Sequence, residues 1–165
     1  MAIFYDQTIM LLGPGNQGAD SENQYLEYRR SIKIELIEMG YKKVVIMEDV
    51  LTEFGDITLD DKFRRIVKIY DPALFIAFFH KCARMDGVTF EIGWLCSYYH
   101  PSELEKRLLV FNEEGFDWNK TTRYIPAFFP NIGPISFNDQ NTDTKSSALV
   151  NKRVLHMILR RSLQL

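Results

Sequence analysis

The sequence predicts an α/β fold in which helices cover both faces of a mostly parallel sheet. Short apolar runs alternate along the chain with longer amphipathic segments, and this alternation is typical of parallel sheets. The most apolar run, residues 73–79, contains no polar side chain, as expected of a strand buried on both faces. We therefore predict a central strand there.

The first half of the chain is predicted to contain two strands and two helices. Apolar content marks the strands, and apolar side chains recurring every three or four positions mark the helices. Gly40 supplies a stop for the first helix. The predicted elements are strands at 8–12 and 43–47, a helix at 21–39, a loop at 50–59 that is a candidate lid, and a helix at 60–70.

The second half repeats the alternation. Asp71 and Pro72 break the preceding helix ahead of the central strand. The elements predicted after that strand are a helix at 88–99, a strand at 107–111, a polar loop at 112–123, a short fifth strand within 132–137 and a C-terminal helix at 146–163. Right-handed crossovers and about five strands predict a flavodoxin-like or Rossmann-like three-layer sandwich with strand order 2-1-3-4-5.

Length and composition exclude several classes of protein. The 165 residues suit a single domain spanning 1–165. A net charge of −2 without a long basic run gives no reason to expect a nucleic acid polymer as partner. No apolar stretch approaches the ~18 residues of a membrane span. Cys82 and Cys96 lack metal-ligand companions and are interpreted as reduced thiols of a cytoplasmic protein, without metal or cofactor.

Glu91 is the main candidate for chemistry. It lies in the segment 86–94, DGVTFEIGW, at the predicted start of the helix after the central strand, where open α/β sheets bind ligands. One interpretation is that an acidic side chain in a first helical turn complements the helix dipole by about 0.3–1 kcal/mol. The other is that Glu91 is a nucleophile or electrostatic stabiliser, since its neighbours are apolar and Gly87 permits close approach.

A glycine-rich loop at residues 13–18, GPGNQG, follows the first strand. Its backbone N–H groups could hold a phosphate, a ribose or a carboxylate, although a plain strand-to-helix turn explains the same residues. The loop is neither a dinucleotide fingerprint nor a P-loop. Glu48 and Asp49 follow the second strand at the same sheet edge, where acidic residues can bind ribose hydroxyls.

Other polar residues receive a structural interpretation. Arg29 and Arg30 are predicted to be solvated. Neither His80 nor His156 has a setting that suggests a catalytic triad. Asp71 is explained equally well as a turn-forming residue that ends a helix.

Together, the glycine loop, the aspartate before the third strand and the segment GVTFEIG (87–93) resemble the nucleoside 2-deoxyribosyltransferase family over roughly residues 8–111. Glu91 matches the family's nucleophilic glutamate and Gly87 its preceding glycine. Asp71 matches an aspartate that contacts and helps to protonate the base. One departure is Met85, which stands where the family often has a second aspartate, while Asp86 is displaced by one position.

The resemblance implies an enzyme that cleaves the N-glycosidic bond of a nucleoside or nucleotide and transfers the base. Glu91 would attack C1′ to form a covalent glycosyl intermediate, and a second carboxyl would stay protonated to assist the leaving base. The implied catalytic residues are Glu91, Asp71 and Asp86, and the implied substrate-binding residues are Gly13, Pro14, Gly15, Gln17, Gly87 and Met85.

Three alternatives remain open at this point. The first is a hydrolase of nucleoside 5′-monophosphates with the same architecture. The second is an NAD-cleaving relative of the TIR type, and the third is a non-catalytic nucleotide-binding module. In the resembled family the C-terminal region completes a neighbouring subunit's site. A homo-oligomer is also open. The aromatic patch at 124–129 is explained equally well as an interface or as a cover for the core.

Overall fold

Five parallel strands form one sheet with the order β2-β1-β3-β4-β5 in the computed structural model of the chain, which describes residues 5–15, 24–121 and 135–137. The strands are β1 (Thr8–Leu12), β2 (Lys43–Ile46), β3 (Leu74–Phe79), β4 (Leu108–Glu113) and β5 (Ile135–Phe137). This order confirms the predicted flavodoxin-like topology. The predicted C-terminal helix, the aromatic patch and Gln17 lie outside the described residues.

The helices lie between the strands in the chain. They are α1 (Gln24–Glu38), α2 (Met47–Val50), α3 (Leu59–Tyr70), α4 (Asp86–Tyr98), α5 (Pro101–Leu104) and α6 (Trp118–Thr121), with a 3-10 turn at Leu51–Phe54. Within the described residues, no helix combines the length and the apolar character that crossing a membrane requires.

Two hydrophobic layers cover opposite faces of the sheet. Successive strand residues point to opposite faces, so Ile9 and Leu11 pack against α1, whereas Met10 and Leu12 pack against α3 and α4. Every residue of β1, β3 and β4 is buried. Because each large apolar side chain contributes about 1.5–3 kcal/mol on burial, the sheet is the core, and the predicted three-layer sandwich is confirmed.

Several boundaries differ from the prediction. Helix α4 begins at Asp86 rather than Val88, because the N–H of Thr89 already donates to the carbonyl oxygen of Met85 at 2.9 Å. Strand β4 continues to Glu113, since Asn112 pairs with β3 on one side and with β5 on the other. The predicted loop at 50–59 is partly helical, because the end of α2 and the 3-10 turn occupy residues 50–54.

Asp71 caps the C-terminus of α3 in a left-handed conformation, with φ of +41°. A left-handed residue costs about 1–2 kcal/mol when it carries a Cβ, and part of this is offset by the extra freedom glycine has in the unfolded chain. We expect Asp71→Gly to raise the free energy of unfolding by about 0.5 kcal/mol and Asp71→Ala to lower it. Urea denaturation of both variants measures this, and an alanine variant more stable than the glycine variant would contradict it.

Candidate functional site

Polar groups from several elements meet at the carboxyl edge of the sheet. The chain leaves β1 for β2 on one side and later returns to β3 on the other, which creates the crevice where open α/β sheets bind ligands. Residues 13–15 follow β1, Glu48 lies in the helical turn after β2, and His80 follows β3. Glu91 lies on α4, the helix that follows β3.

Arg29 connects two of these segments. Its side chain is 0% exposed. Its Nη1 donates to the carbonyl oxygen of Pro14 at 2.9 Å, and its Nη2 donates to Oε1 of Glu48 in an ion pair. A buried guanidinium needs a charged partner, and Glu48 provides it. The prediction that Arg29 is solvated is therefore wrong, whereas Arg30 is exposed and pairs with surface carboxylates.

Gly13 is required by the position of Arg29. A Cβ at residue 13 would lie 2.9 Å from Cδ of Arg29 and closer still to Nη1, which is shorter than real Cβ contacts allow. The glycine loop thus packs its backbone directly against the guanidinium, and it is more than a plain turn. Gly15 lies beside Glu48, because a Cβ there would be 3.8 Å from Oε1 of that residue.

Glu91 carries a strongly perturbed carboxyl group. The residue as a whole is partly exposed, but its Oε2 is buried and has no hydrogen-bond partner among the described residues. The pKa of Glu91 is raised from 4.5 to about 8, chiefly by burial and also by the charge of Glu48, while the charge of Arg29 acts in the opposite direction. An unpaired carboxyl at a ligand-binding edge is typical of a functional group.

The dipole interpretation of Glu91 does not fit this position. Because α4 begins at Asp86, the acidic residue of the first turn is Asp86, and Glu91 lies in the second turn. The effect of the helix dipole falls off within the first turn. Glu91 is therefore not explained as a helix-stabilising residue.

A second polar cluster extends the edge toward β4. Nδ1 of His80 lies 4.0 Å from Oε2 of Glu113, and the backbone N–H of Lys81 donates to the same oxygen at 2.8 Å. Burial and the charge of Arg29 lower the pKa of His80 to about 4, so its imidazole is neutral at pH 7. Neither His80 nor Glu113 stands in a sequence pattern that predicts a functional role.

Four predicted substrate-binding residues lie at this edge, but Met85 does not face it. Gly13, Pro14 and Gly15 lie against Arg29 and Glu48, and Gly87 is exposed at the start of α4. Met85 is 1% exposed and belongs to the hydrophobic layer under α4. Its assignment as a substrate contact is therefore corrected, since a methionine in that position fills the core.

Asp71 lies at the opposite edge of the sheet. It precedes β3, whereas Glu91 comes after it, and the six residues of β3 separate the two edges by about 20 Å. The Asp71 side chain is 82% exposed, and one of its oxygens lies 3.8 Å from Arg107. The assignment of Asp71 as an acid beside Glu91 is therefore corrected. Asp86 lies in the first turn of α4 and Glu91 in the second, so these two residues share one end of that helix.

The described part of the chain contains no group of three or more His, Cys, Asp or Glu residues arranged to hold a metal ion. The edge presents carboxyl, guanidinium and imidazole groups and the backbone of the glycine loop. No protein-family model, curated protein or solved structure matches the chain.

Proposed function

We propose that this chain cleaves the N-glycosidic bond of a nucleoside or nucleotide and transfers the sugar to a second base through Glu91. The observation that carries the proposal is the Glu91 carboxyl on the helix after β3, whose buried Oε2 has no hydrogen-bond partner among the described residues. The charges of the ion-paired Arg29 and Glu48 act on the same carboxyl. A carboxylate in such a position can stabilise or capture an oxocarbenium-like sugar.

The reaction has two steps on this proposal. An oxygen of Glu91 bonds to C1′ while the C1′–N bond breaks, and the base leaves with the bonding electron pair and takes up a proton. Asp86, which is exposed at the start of α4, is the candidate donor of that proton. A second base then attacks C1′ and releases Glu91, or water does so and completes hydrolysis.

The pH dependence of cleavage tests the role of Glu91. A nucleophile must be ionised, and the pKa of Glu91 is about 8, so we expect kcat/KM to rise with pH and to level off above about 8, because kcat/KM reports the free enzyme. Glu48→Gln removes a charge that raises this pKa, so the midpoint should move to lower pH. A profile that falls with pH would instead assign Glu91 as a proton donor.

A non-catalytic nucleotide-binding module is the second candidate. The observation in its favour is the same raised pKa, because a protonated carboxyl donates a hydrogen bond but does not attack carbon. Such a module would bind a nucleotide tightly and leave its glycosidic bond intact.

A mixed incubation separates these candidates. The protein is incubated with ribonucleosides, deoxynucleosides, their 5′-monophosphates and NAD, each with and without a second free base, and the products are separated by chromatography. A nucleoside that carries the second base supports the transferase. Free base or nicotinamide alone supports a glycohydrolase, and a raised melting temperature without turnover supports the binding module.

The cellular setting is part of the proposal. Cys82 is exposed and Cys96 is partly buried, and neither forms a disulfide in the part of the chain that the structure describes. Reduced thiols fit a cytoplasmic enzyme of nucleotide metabolism. We also propose a homo-oligomer, whose candidate interface at 124–129 lies outside the described residues.

A further inference from the structure

Glu48 is a partly exposed carboxylate held in a fixed position at the candidate site. Arg29 binds its Oε1, and no other hydrogen-bond partner of Glu48 occurs among the described residues. The Glu48 side chain keeps 23% of its surface exposed. Glu48 follows β2 and Glu91 lies on the helix that follows β3, so both lie at the carboxyl edge of the same parallel sheet. The charge of Glu48 also raises the pKa of Glu91.

This arrangement fits a ligand that brings hydroxyl groups. An ionised carboxylate only accepts hydrogen bonds, and one of the Glu48 oxygens is already bound to Arg29. In the proposed reaction Glu91 bonds to C1′, and the sugar hydroxyl nearest to that carbon is the one on C2′. Only β1 lies between strand β2, which Glu48 follows, and strand β3, which precedes Glu91, so the Glu48 carboxylate is placed to accept a hydrogen bond from that hydroxyl.

We propose that Glu48 is the residue that determines sugar specificity, by accepting a hydrogen bond from the 2′-hydroxyl, so that the site takes ribosides in preference to 2′-deoxyribosides. This inference rests on the proposed function, and it departs from the deoxyribosyl group of the family that the sequence resembles. The base is recognised elsewhere on this assignment.

Arg29 makes the discrimination effective because it fixes the carboxylate before the ligand arrives. Ordering a free side chain on binding costs about 0.5–1.5 kcal/mol, and the ion pair removes most of that cost. A fully buried hydroxyl-binding site can discriminate by about 10⁴-fold or more. Glu48 is partly exposed, so water can replace a missing hydroxyl, and we expect a preference of roughly tenfold to a hundredfold.

Binding of non-cleavable ligands tests the proposal independently of turnover. Calorimetry gives Kd for the carbocyclic analogues of adenosine, cytidine and uridine and for their 2′-deoxy and 2′-fluoro counterparts. The wild-type protein should bind the 2′-hydroxyl analogues at least about tenfold more tightly than the 2′-deoxy analogues. The 2′-fluoro analogues should bind as weakly as the 2′-deoxy ones, because fluorine cannot donate a hydrogen bond.

Two variants and one matched control complete the experiment. Glu48→Gln should reduce the preference to about threefold and Glu48→Ala should remove it, because the charge-assisted hydrogen bond is weakened or lost. Asp49→Asn is the control. The sequence also predicts Asp49 as a residue that could bind ribose hydroxyls, but Arg30 occupies its Oδ1 and Lys33 its Oδ2 at the surface, so of the two the structure assigns that role to Glu48 alone. That variant should keep the wild-type preference. The 2′-fluoro comparison needs no variant. If the Glu48 variants fail to fold, 2′-fluoro analogues that bind as tightly as the 2′-hydroxyl analogues would still overturn the proposal.

Each other outcome has a defined meaning. Equal Kd values for the hydroxyl and deoxy analogues, or no binding of any analogue, overturn the assignment of Glu48. A different result is that Glu48→Gln weakens binding of the adenosine and cytidine analogues, whose bases carry an exocyclic amino group, and leaves the Kd of the uridine analogue unchanged. In that case Glu48 binds the base, and its assignment to the sugar is overturned. If the protein binds the 2′-hydroxyl analogues more tightly than the 2′-deoxy analogues but does not cleave natural nucleosides, the proposed function is overturned and the sugar assignment of Glu48 stands.

Discussion

Glycosidic cleavage is expected to fall by about 10⁴-fold or more in the Glu91→Gln variant, the scale of loss when a catalytic nucleophile is removed. The amide preserves the shape of the side chain but cannot form the bond to C1′. Release of free base from the substrate identified by the mixed incubation, followed by chromatography, measures the rate. Glu38→Gln is the matched control, because Glu38 is exposed on α1 and should leave the rate unchanged.

Loss of activity in Glu91→Gln should not come from unfolding. The folded pKa of Glu91, about 8, lies above the unfolded value of 4.5, so its contribution to stability is fully present below pH 4.5 and is lost as pH rises through about 8. The glutamine variant does not titrate. Its stability relative to wild type should therefore increase between these pH values, as urea denaturation at several pH values can measure. A variant that is fully active would contradict the nucleophile assignment.

The Arg29→Met variant should be less stable than wild type by about 3 kcal/mol. Removing one partner of a buried ion pair typically costs about 3–5 kcal/mol, because the other charge is left without compensation. The lower end applies here, since the Glu48 side chain is 23% exposed and water can solvate part of its charge. Urea denaturation measures the difference.

Arg30→Met is the matched control for this variant. Arg30 is the next residue on α1, but its side chain is 42% exposed and its ion pairs lie at the surface. Surface ion pairs contribute about 0–1 kcal/mol, so the control should remain close to wild type. Equal losses in both variants would show that burial of Arg29 has no special energetic role.

The fold could be predicted from the sequence because strands buried on both faces leave an unambiguous trace. Residues 73–79 are continuously apolar, and β3 lies within that range. The alternation with amphipathic helices then fixed the parallel arrangement and the strand order. Boundaries were harder to predict, as with Glu113, because a strand end is decided by pairing with its neighbours rather than by its own residues.

The candidate site could be predicted only in part. Position after a strand predicts Glu48 and the glycine loop at one edge of the sheet, where the structure places them, because chain direction brings all carboxyl ends to that edge. The role of Glu91 stays a prediction, and its expected place in the first helical turn is wrong. The same rule predicts that Asp71 lies at the opposite edge, because it precedes β3. Only the resemblance to a family predicts that Asp71 contacts the base. The charge of Arg29 predicts exposure, whereas its side chain is fully buried against Glu48.

Helical spacing predicts that Arg29 lies on the buried face of α1. It is four positions after Tyr25 and three before Ile32, two residues of the apolar stripe that α1 buries. Arg30 falls off that stripe. A charged residue in phase with the buried face of a helix is therefore a sign of a buried partner, which the sequence cannot name by itself.

The close approach of Gly13 to Arg29 also makes these two positions interdependent. A side chain at residue 13 needs the space that the guanidinium occupies, so residues larger than glycine become acceptable there only when residue 29 is shorter. A library that randomises both codons and selects for folding should return non-glycine residues at 13 together with small residues at 29. Such paired changes would remove the contact that fixes Glu48, so the selected proteins should fold but lose the proposed preference for ribosides.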